Sequence, residues 1–410
     1  MKAISAVALG VLTAIGGFVD IGDLVTSAVV GSRFGLTLVW VLVIGTIGIC
    51  LFAQMSGRVA AVSGRATFEI IRERLGARLA LANLSASFLI NLLTLTAEVG
   101  GIALSLQLAT SISPVLWMPV AAFAVWLVVW RVKFSILENV TGLLGLALVV
   151  FAVAIFLLHP DWLQLGSQLL LQPPAQTSES PTTYWYFAIA LFGAAMTPYE
   201  VFFFSSGAIE EHWKPKDLTQ TRVNVFVGFP IGGLLSISIV VCAAIVLLPK
   251  GIAVTSLYQT ALPVAQAAGT IGLIIAILGF VAATFGAALE VTLSSGYTLA
   301  QFFGWSWGKY RAPSRAARFH VVMILSLVAA LGVLLTGVDP VQVTEFSVVF
   351  SAVALPLTYL PILIVANDPR YMGKRVNGRA TNFVGLIFLA LIVVASIAAI
   401  PLMIVTGAGS

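Results

Sequence analysis

The sequence predicts an all-α, polytopic membrane protein in which two helices are interrupted near the middle of the bilayer. Hydrophobic residues make up 60% of the 410 positions and charged residues only 9%, whereas soluble domains are about half apolar and about a quarter charged. Apolar stretches of about 20 residues, each long enough to cross a hydrocarbon core roughly 30 Å thick, recur along the whole chain. Acidic residues accompany Gly or Pro inside the first and sixth of these stretches.

Eleven apolar segments are predicted to be transmembrane helices. They cover residues 4–30, 35–57, 79–109, 112–130, 137–158, 184–209, 223–248, 260–304, 317–336, 341–366 and 381–405. The eighth segment is long enough to contain a kink. The first has no small-residue cleavage site after its apolar core and continues into a longer helix, so it is predicted to be a retained span rather than a signal peptide.

The basic residues predict the orientation of these helices. If the loops alternate from a cytoplasmic N-terminus, 19 of the 21 Lys and Arg residues lie on the cytoplasmic side, and only Arg33 and Lys250 lie outside. This asymmetry follows the positive-inside rule. We therefore expect a multi-pass protein of the cell (inner) membrane with its N-terminus inside and its C-terminus outside. The net charge of +5 is explained by topology, and no nucleic-acid partner is expected.

Five acidic residues lie well inside predicted helices: Asp20, Asp23, Glu98, Glu200 and Glu290. An ionised side chain at the centre of a transmembrane helix costs at least about 2.5 to 3.5 kcal/mol, so each acid is expected to face a cavity or a partner. For Glu290 a structural partner is favoured. For Glu98 two interpretations stay open, namely a hydrogen bond between helices and a role in the substrate pathway.

The first and sixth helices each contain a break. Glycines accompany two carboxylates in residues 16–23, and Pro198 removes a backbone donor within residues 193–200. Each break opens a set of five helices, and because five is odd the second set enters the membrane in the opposite sense. The sequence thus predicts inverted repeats at residues 1–158 and 184–367, an extracellular connector at 159–183 and an additional helix at 381–405.

The breaks also predict a site for a positive ion. Where a half-helix ends, unpaired carbonyl groups carry partial negative charge, and such groups serve as cation ligands beside carboxylates. The backbone carbonyl of Ala194, which lies just before the sixth-helix break, is one candidate. Asp20, Asp23 and Glu200 supply the carboxylates. The cargo is therefore expected to be a divalent cation.

Four short motifs resemble those of the NRAMP divalent-metal transporters. The segment Asp20-Ile21-Gly22-Asp23 resembles the Asp-Pro-Gly-Asn segment of the family's first helix, and Thr197-Pro198-Tyr199 stands where its sixth helix carries Met-Pro-His. Thr96-Ala97-Glu98 and Leu355-Pro356-Leu357 resemble the family's acidic segment in helix 3 and its Leu-Pro-Phe in helix 10. The resemblance covers essentially the whole chain. It implies the LeuT-type fold of two inverted five-helix repeats plus an eleventh helix.

The departures from the family pattern concern the metal ligands that the resemblance implies. Asp20 is retained, Asp23 replaces the family's Asn, and Thr197 replaces the Met whose thioether binds metal. Oxygen ligands suit hard ions, whereas sulfur suits softer transition metals. With Glu200 as a further acid, these exchanges predict a partly hydrated Mg²⁺, and also Mn²⁺, as in the NRAMP-related magnesium transporters. A shift of helix register by one residue, about 100°, could instead turn the sulfur of Met196 inward.

Proton coupling is expected to be weak or absent. The family's proton path is thought to include the helix 6 histidine, and Tyr199 stands at that position. Tyrosine, whose ordinary pKa is about 10, relays protons poorly compared with histidine. Glu98 is the remaining proton-path candidate. Uptake would then be driven by the membrane potential.

Three other functions are alternatives to this prediction. One is a proton-coupled Mn²⁺/Fe²⁺ importer with different ligands, and another is an organic-substrate symporter of the same fold, which the acids at the breaks disfavour. The third, a receptor or scaffold, has no soluble domain to support it. No catalytic constellation and no ATP-binding loop is found, so neither an enzyme nor a cofactor is expected.

Cys50 and Cys242 lie in apolar runs and are interpreted as small hydrophobic residues. The oligomeric state stays open, and a monomer is possible.

Overall fold

The computed structural model describes residues 18–132, 140, 142–167, 169 and 179–407. Nine helices in this part of the chain are long and apolar enough to cross a membrane. In chain order the α-helical elements are α1 (Ile21–Phe34), α2 (Val39–Ser63), α3 (Thr67–Leu75), α4 (Ala77–Thr110), α5 (Pro114–Arg131), α6 (Gly142–Leu157), α7 (Trp162–Ser167), α8 (Pro181–Ala195), α9 (Pro198–Glu210), α10 (Leu218–Val246), α11 (Leu257–Phe303), α12 (Ala317–Leu334), α13 (Pro340–Ala366), α14 (Pro369–Met372) and α15 (Arg379–Thr406).

The predicted helices are found in the described residues with their ends shifted by at most six residues, and the largest shift is in the second. We expected it at residues 35–57, but α2 begins at Val39 and ends at Ser63, where Gly64 adopts the left-handed conformation (φ 68°) that commonly terminates helices. The first predicted helix lies partly outside the described residues, which begin at Phe18, and so does the start of the fifth. The interpretation of the N-terminus as a retained span therefore stays a prediction.

Helix α3 was not predicted. It is amphipathic, with Phe68, Ile70 and Ile71 buried and basic residues in its last turn. Arg65 donates a hydrogen bond to Glu73 at 2.7 Å, and the Tyr371 hydroxyl donates another at 3.0 Å. These two donors hold the pKa of the Glu73 carboxyl below its ordinary value, the Arg65 bond having the larger effect. The contacts tie α3 to α14 at the end of the bundle that carries the basic loops.

The kink considered for the eighth segment is present in α11. Gly269 has φ 61° and ψ −149°, so this residue is not helical and divides α11 into a short first part and a long second part. A residue with a side chain would adopt this positive φ only at a cost, which glycine avoids. The eighth predicted span, residues 260–304, therefore covers most of the first part of α11 and all of the second.

The core of the bundle is formed by helices that each contact several others. Helices α11 and α13 pack along α4, whereas α1 and α2 pack on α10. By contrast, α5 and α15 expose most of their apolar side chains. Phe383 and Ile397 on α15, for example, are 67% and 70% exposed. Such faces suit contact with lipid, in which a helix satisfies its own backbone hydrogen bonds.

Candidate cation-binding site

The sixth predicted helix is interrupted as expected. Met196 (φ −122°, ψ 53°) and Thr197 (φ −61°, ψ 127°) separate α8 from α9. Pro198 is the first residue of α9 and has no N–H group for the Ala194 carbonyl that precedes it by four residues. Helix α8 therefore ends with carbonyl oxygens that lack helical partners, among them the one predicted at Ala194.

The first predicted helix is also interrupted, directly before α1. Asp20 is extended (φ −104°, ψ −175°), and its Oδ1 accepts a hydrogen bond from the N–H of Asp23 at 2.9 Å. This carboxylate is a typical helix N-cap, placed at the positive end of the helix dipole. Before Asp20 the structure describes only Phe18 and Val19. What the structure describes is the N-terminal end of α1 with its acids.

Glu98 of α4 joins this break from a neighbouring helix. Its side chain is fully buried, and its Oε1 accepts a hydrogen bond from the Ile21 N–H at 3.1 Å. The interhelical hydrogen bond that was one of two open interpretations is therefore present. The second oxygen, Oε2, is buried and has no hydrogen-bond partner among the described residues. Glu98 thus holds the start of α1 and keeps one oxygen for another ligand.

We expect Glu98→Ala to destabilise the protein and Glu98→Gln to do so much less. Alanine leaves the buried Ile21 N–H without an acceptor, which costs about 1 to 3 kcal/mol, whereas the amide oxygen of glutamine can still accept the bond. Thermal unfolding in detergent measures the difference. Equal melting temperatures for the two variants would contradict the proposed role of this hydrogen bond.

Both breaks contact one residue of α13. A Cβ atom added to Gly22 would lie 2.8 Å from Cγ1 of Val348, and one added to Gly193 would lie 2.4 Å from the Val348 carbonyl oxygen. Real Cβ atoms do not approach so closely, so glycine is required at both positions for this packing. The start of α1 and the end of α8 therefore meet at Val348.

The five acids predicted inside helices are all buried. None of Asp20, Asp23, Glu98, Glu200 and Glu290 is more than 5% exposed. Asp20 interacts electrostatically with each of the other four. In the described part of the chain, the ion pairs made by Arg33, Arg65 and Arg74 involve none of these acids. Because burying unpaired carboxylates is costly, the arrangement suits a bound cation.

Asp23 has no hydrogen bond of ordinary geometry to its carboxylate. Within residues 18–132, 140, 142–167, 169 and 179–407, both of its carboxylate oxygens are buried without such a bond, although the Ser236 hydroxyl of α10 interacts with the carboxylate. Glu200, by contrast, accepts a hydrogen bond from the Thr197 hydroxyl at 3.3 Å. Both oxygens of Asp23 are therefore available to a ligand.

The predicted ligands do not form one compact cluster of acids. The described residues contain no group of three or more His, Cys, Asp and Glu side chains arranged to hold a metal ion. We expected up to three acids around the ion. In this conformation, however, Asp20 is bonded to the Asp23 N–H and Glu200 to the hydroxyl of Thr197, each within its own half-helix.

Met196 does not turn its sulfur toward the break. The sulfur packs against Gly48 of α2, where an added Cβ would lie 2.7 Å from Sδ and 2.9 Å from a ring carbon of Phe388. The Met196 carbonyl accepts a hydrogen bond from the Tyr359 hydroxyl at 3.2 Å. The thioether belongs to the apolar core, and the structure gives no support to the register shift that would bring it to the ion.

Glu290, for which the sequence favoured a structural partner, lies near the acids of the breaks. It interacts electrostatically with Asp20, Glu200 and Tyr199. One turn further along α11, the Ser294 hydroxyl approaches the Tyr199 carbonyl oxygen at 3.5 Å, so this face of α11 is turned toward α9. The signal was in the sequence, because Glu290 is an acid inside an apolar segment, as the others are.

Both cysteines pack as predicted for small hydrophobic residues. They are buried, and each thiol faces a backbone carbonyl oxygen, Cys50 that of Val225 at 3.6 Å and Cys242 that of Phe151 at 3.2 Å.

Comparison with known sequences finds relatives over almost the whole chain. The model of the family described as natural resistance-associated macrophage protein-like (Nramp) matches residues 10–401. The chain is 25% identical over 396 residues to the divalent metal cation transporter MntH of Deinococcus radiodurans, covering 92% of this chain and 85% of the relative. It is 27% identical over 392 residues to the MntH of Aeromonas hydrophila, covering 92% and 91%.

Comparison with solved structures confirms the predicted LeuT-type architecture. The manganese transporter of Eremococcus coleocola, in complex with an aromatic bis-isothiourea compound, superposes with a TM-score of 0.71 at 20% identity, covering 97% of this chain and 85% of that one. The nucleobase-cation-symport-1 family transporter MHP1 gives a TM-score of 0.62 at 15% identity, covering 96% and 91%. At these identities the likeness concerns the fold alone.

Proposed function

Because this chain belongs to the Nramp family, we propose that it is a secondary transporter that moves a divalent metal ion across a cell membrane by alternating access. The family model covers residues 10–401, and the curated relatives are named as divalent metal cation transporters. Members of this family are transporters and not enzymes. The ion is the cargo and not a resident cofactor.

The observation that carries the proposal is the group of buried carboxylates beside the α1 break. The oxygens of Asp23 and one oxygen of Glu98 are buried without a hydrogen bond of ordinary geometry in the described residues, with the Ser236 hydroxyl as a weak partner of Asp23, and Asp20 lies in electrostatic contact with both acids. Carboxylates in such a setting need either protons or a cation, because their desolvation is otherwise uncompensated. We propose that a divalent ion supplies this compensation.

The ion is proposed to be hard, with Mg²⁺ first and Mn²⁺ second. The candidate ligands are Asp20, Asp23, Thr197, Glu200 and the Ala194 carbonyl, and all of them offer oxygen. Mg²⁺ usually keeps several waters and is bound by one or two carboxylates. A hydrated ion therefore does not require the compact group of three acids that the described residues lack.

The second candidate is a proton-coupled Mn²⁺/Fe²⁺ importer, and the burial of Glu98 next to the site favours it. A titratable acid in contact with α1 could carry a proton. An organic-substrate symporter is less consistent with the site, because buried acids at the start of α1 would repel the carboxylate of an amino-acid substrate.

We propose that the repeats comprise residues 1–158 and 184–367, with 159–183 outside the cell, and that both the N-terminus and the basic loops are cytoplasmic. The support is the distribution of Lys and Arg, of which 19 of 21 fall on one side. Helix α15 follows the second repeat and packs on α13. A single chain contains every candidate ligand of the ion.

The membrane potential alone is expected to drive uptake. Each charge that moves inward gains about 2.3 kcal/mol per 100 mV, and Tyr199 offers no imidazole for proton relay. Proteoliposomes with an imposed inside-negative potassium diffusion potential should take up Mg²⁺ while the internal pH stays constant. Acidification of the lumen that accompanies Mg²⁺ entry would favour the coupled importer instead.

Competition between metal ions in uptake assays tests whether the site prefers hard ions. In the same vesicles, we expect Mn²⁺ to inhibit Mg²⁺ uptake and Cd²⁺ to inhibit it weakly, because the site offers oxygen and no sulfur. Vesicles that contain the Asp20→Asn variant are the matched control, because their uptake does not depend on the intact site. Strong inhibition of Mn²⁺ uptake by Cd²⁺, but none by millimolar Mg²⁺, would contradict the proposal of a hard site.

A further inference from the structure

Two buried hydroxyls on α1 and α10 lack the partner that similar hydroxyls have elsewhere in the bundle. A buried Ser or Thr inside a helix often donates a hydrogen bond to the carbonyl four residues earlier, as Ser105, Thr292 and Ser295 do at 2.6 to 2.9 Å. Ser27 of α1 and Ser236 of α10 do not, and among the described residues neither hydroxyl oxygen has a hydrogen bond of ordinary geometry. Both oxygens are therefore left for another ligand.

Glycines bring α1 and α10 close together at both ends of their contact. A Cβ added to Gly232 would lie 2.7 Å from the Cβ of Phe18. A Cβ added to Gly31 would lie 2.3 Å from the carbonyl oxygen of Val240. Ser236 stands midway between Gly232 and Val240, about one helical turn from each, so it faces α1. A ligand held between helices that approach so closely must be small.

Asp23 and Ser27 belong to the face of α1 that meets Ser236. Residues 23, 27 and 31 are four apart and therefore form one stripe on the helix, and Gly31 at the end of this stripe contacts α10. The Ser236 hydroxyl interacts with the Asp23 carboxylate. All three side chains are 0% exposed. One carboxylate and two hydroxyls thus meet between α1 and α10, and we call these three residues the α1–α10 cluster.

A third hydroxyl approaches the α1–α10 cluster from α2. Thr46 is buried, and in the part of the chain that the structure describes its Oγ1 has no hydrogen-bond partner. This Oγ1 would lie 2.4 Å from a Cβ added to Gly233, which precedes Ser236 by about one turn of α10. Five buried Ser and Thr hydroxyls of the described residues lack a partner, and three of them are these neighbours of Asp23. Such a grouping indicates a shared ligand.

The chemistry of the α1–α10 cluster suits a small monovalent cation. Oxygen ligands suit hard ions, and one carboxylate balances one positive charge. A buried water could satisfy the hydroxyls, but it would leave the charge of the carboxylate uncompensated in surroundings of low polarity, which is costly. The close packing of α1 on α10 favours Na⁺ over the larger K⁺.

We propose that the α1–α10 cluster binds a Na⁺ ion through one oxygen of Asp23 and the hydroxyls of Ser27 and Ser236, with Thr46 as a further oxygen ligand. The second oxygen of Asp23 remains for the divalent cargo, so the Na⁺ supports the start of α1 from the side of α10. It stays bound while the divalent ion is transported, and the membrane potential remains the driving force. Binding of Na⁺ does not depend on which divalent ion is the cargo.

Thermal unfolding of the purified protein in Na⁺ and in K⁺ tests the proposal. With divalent ions removed by EDTA and the ionic strength held constant, Na⁺ should raise the melting temperature saturably, because a ligand of the folded state stabilises it by mass action. Ser236→Ala should melt at or above the wild-type temperature in K⁺, since a methyl group replaces a hydroxyl that lacks a good partner. In Na⁺ the same variant should show no rise. A purely structural hydroxyl would instead lower the melting temperature in both salts.

Ser238→Ala is the matched control on the same helix. The Ser238 hydroxyl donates a hydrogen bond to the Leu234 carbonyl at 2.8 Å and so has its partner within α10. This variant should keep the Na⁺ effect and bind radioactive Na⁺ as the wild type does, whereas Ser27→Ala and Ser236→Ala should bind it about 10-fold more weakly or less. Equal melting temperatures of the wild type in Na⁺ and K⁺, or a Na⁺ effect that survives in Ser236→Ala, would overturn the proposal and leave the cluster to a water or a proton.

Discussion

Replacing Asp20 is expected to reduce the affinity for Mg²⁺ by about 100-fold or more, since even residues that only orient metal ligands contribute about 10- to 100-fold. Asp20 interacts electrostatically with every other buried acid of the site and stands exactly one residue before α1 begins. No other side chain of the site both interacts with all the other acids and lies directly before α1. Calorimetry on the purified protein measures the loss.

The choice of substituent separates charge from local structure. Asp20 also caps α1 through the hydrogen bond to the Asp23 N–H, and alanine removes this cap at a cost of about 0.5 to 2 kcal/mol. Asparagine is a comparable cap but carries no charge. We therefore expect Asp20→Asn to fold as the wild type does and still to lose Mg²⁺ binding. Unchanged affinity in Asp20→Asn would remove Asp20 from the site.

The second large effect is expected from Thr197→Met, which places a thioether at the α8–α9 break. Sulfur favours softer ions, so inhibition of uptake by Cd²⁺ should strengthen by about 10-fold and the affinity for Mg²⁺ should fall by about 10-fold. The loss for Mg²⁺ has a second cause, because the hydroxyl that now donates to Glu200 disappears.

Thr197→Ser is the matched control for this change. Serine keeps the hydroxyl and its bond to Glu200, so the order of ion preference should remain that of the wild type. Competition assays with Cd²⁺, Mn²⁺ and Mg²⁺ on both variants give the comparison. If Thr197→Met and Thr197→Ser show the same preferences, position 197 does not face the ion.

The two breaks could be predicted because their causes are local in sequence. Pro198 removes a backbone donor wherever it stands in a helix, and a carboxylate at Asp20 next to glycine favours a cap over a helix interior. The order of helices could be predicted for a similar reason, since hydropathy and loop charge are read without knowledge of contacts. Helix α3 was not predicted because charged residues interrupt the apolar pattern of its short buried face.

Other features of the site depend on packing between distant segments. The direction of the Met196 sulfur is set by Gly48 and Phe388, which lie on α2 and α15. Glu290 is brought to the acids by the way α11 packs on α9. The sequence alone does not indicate which acid inside an apolar helix meets another.

No feature of the sequence indicated the role of Val348. It is one valine among many in α13, and only the close approach of Gly22 and Gly193 shows that both breaks meet there. Packing residues of this kind are apolar, so sequence patterns built on charge do not find them.

The central claim is that a divalent cation binds between the start of α1 and the α8–α9 break. Anomalous diffraction from crystals soaked in Mn²⁺ tests it most directly. We predict a peak beside the carboxylates of Asp20 and Asp23, within reach of the Ala194 carbonyl and Thr197, which is lost in crystals of Asp20→Asn. A peak that lies elsewhere in the bundle, or one that persists without the Asp20 charge, would contradict the account.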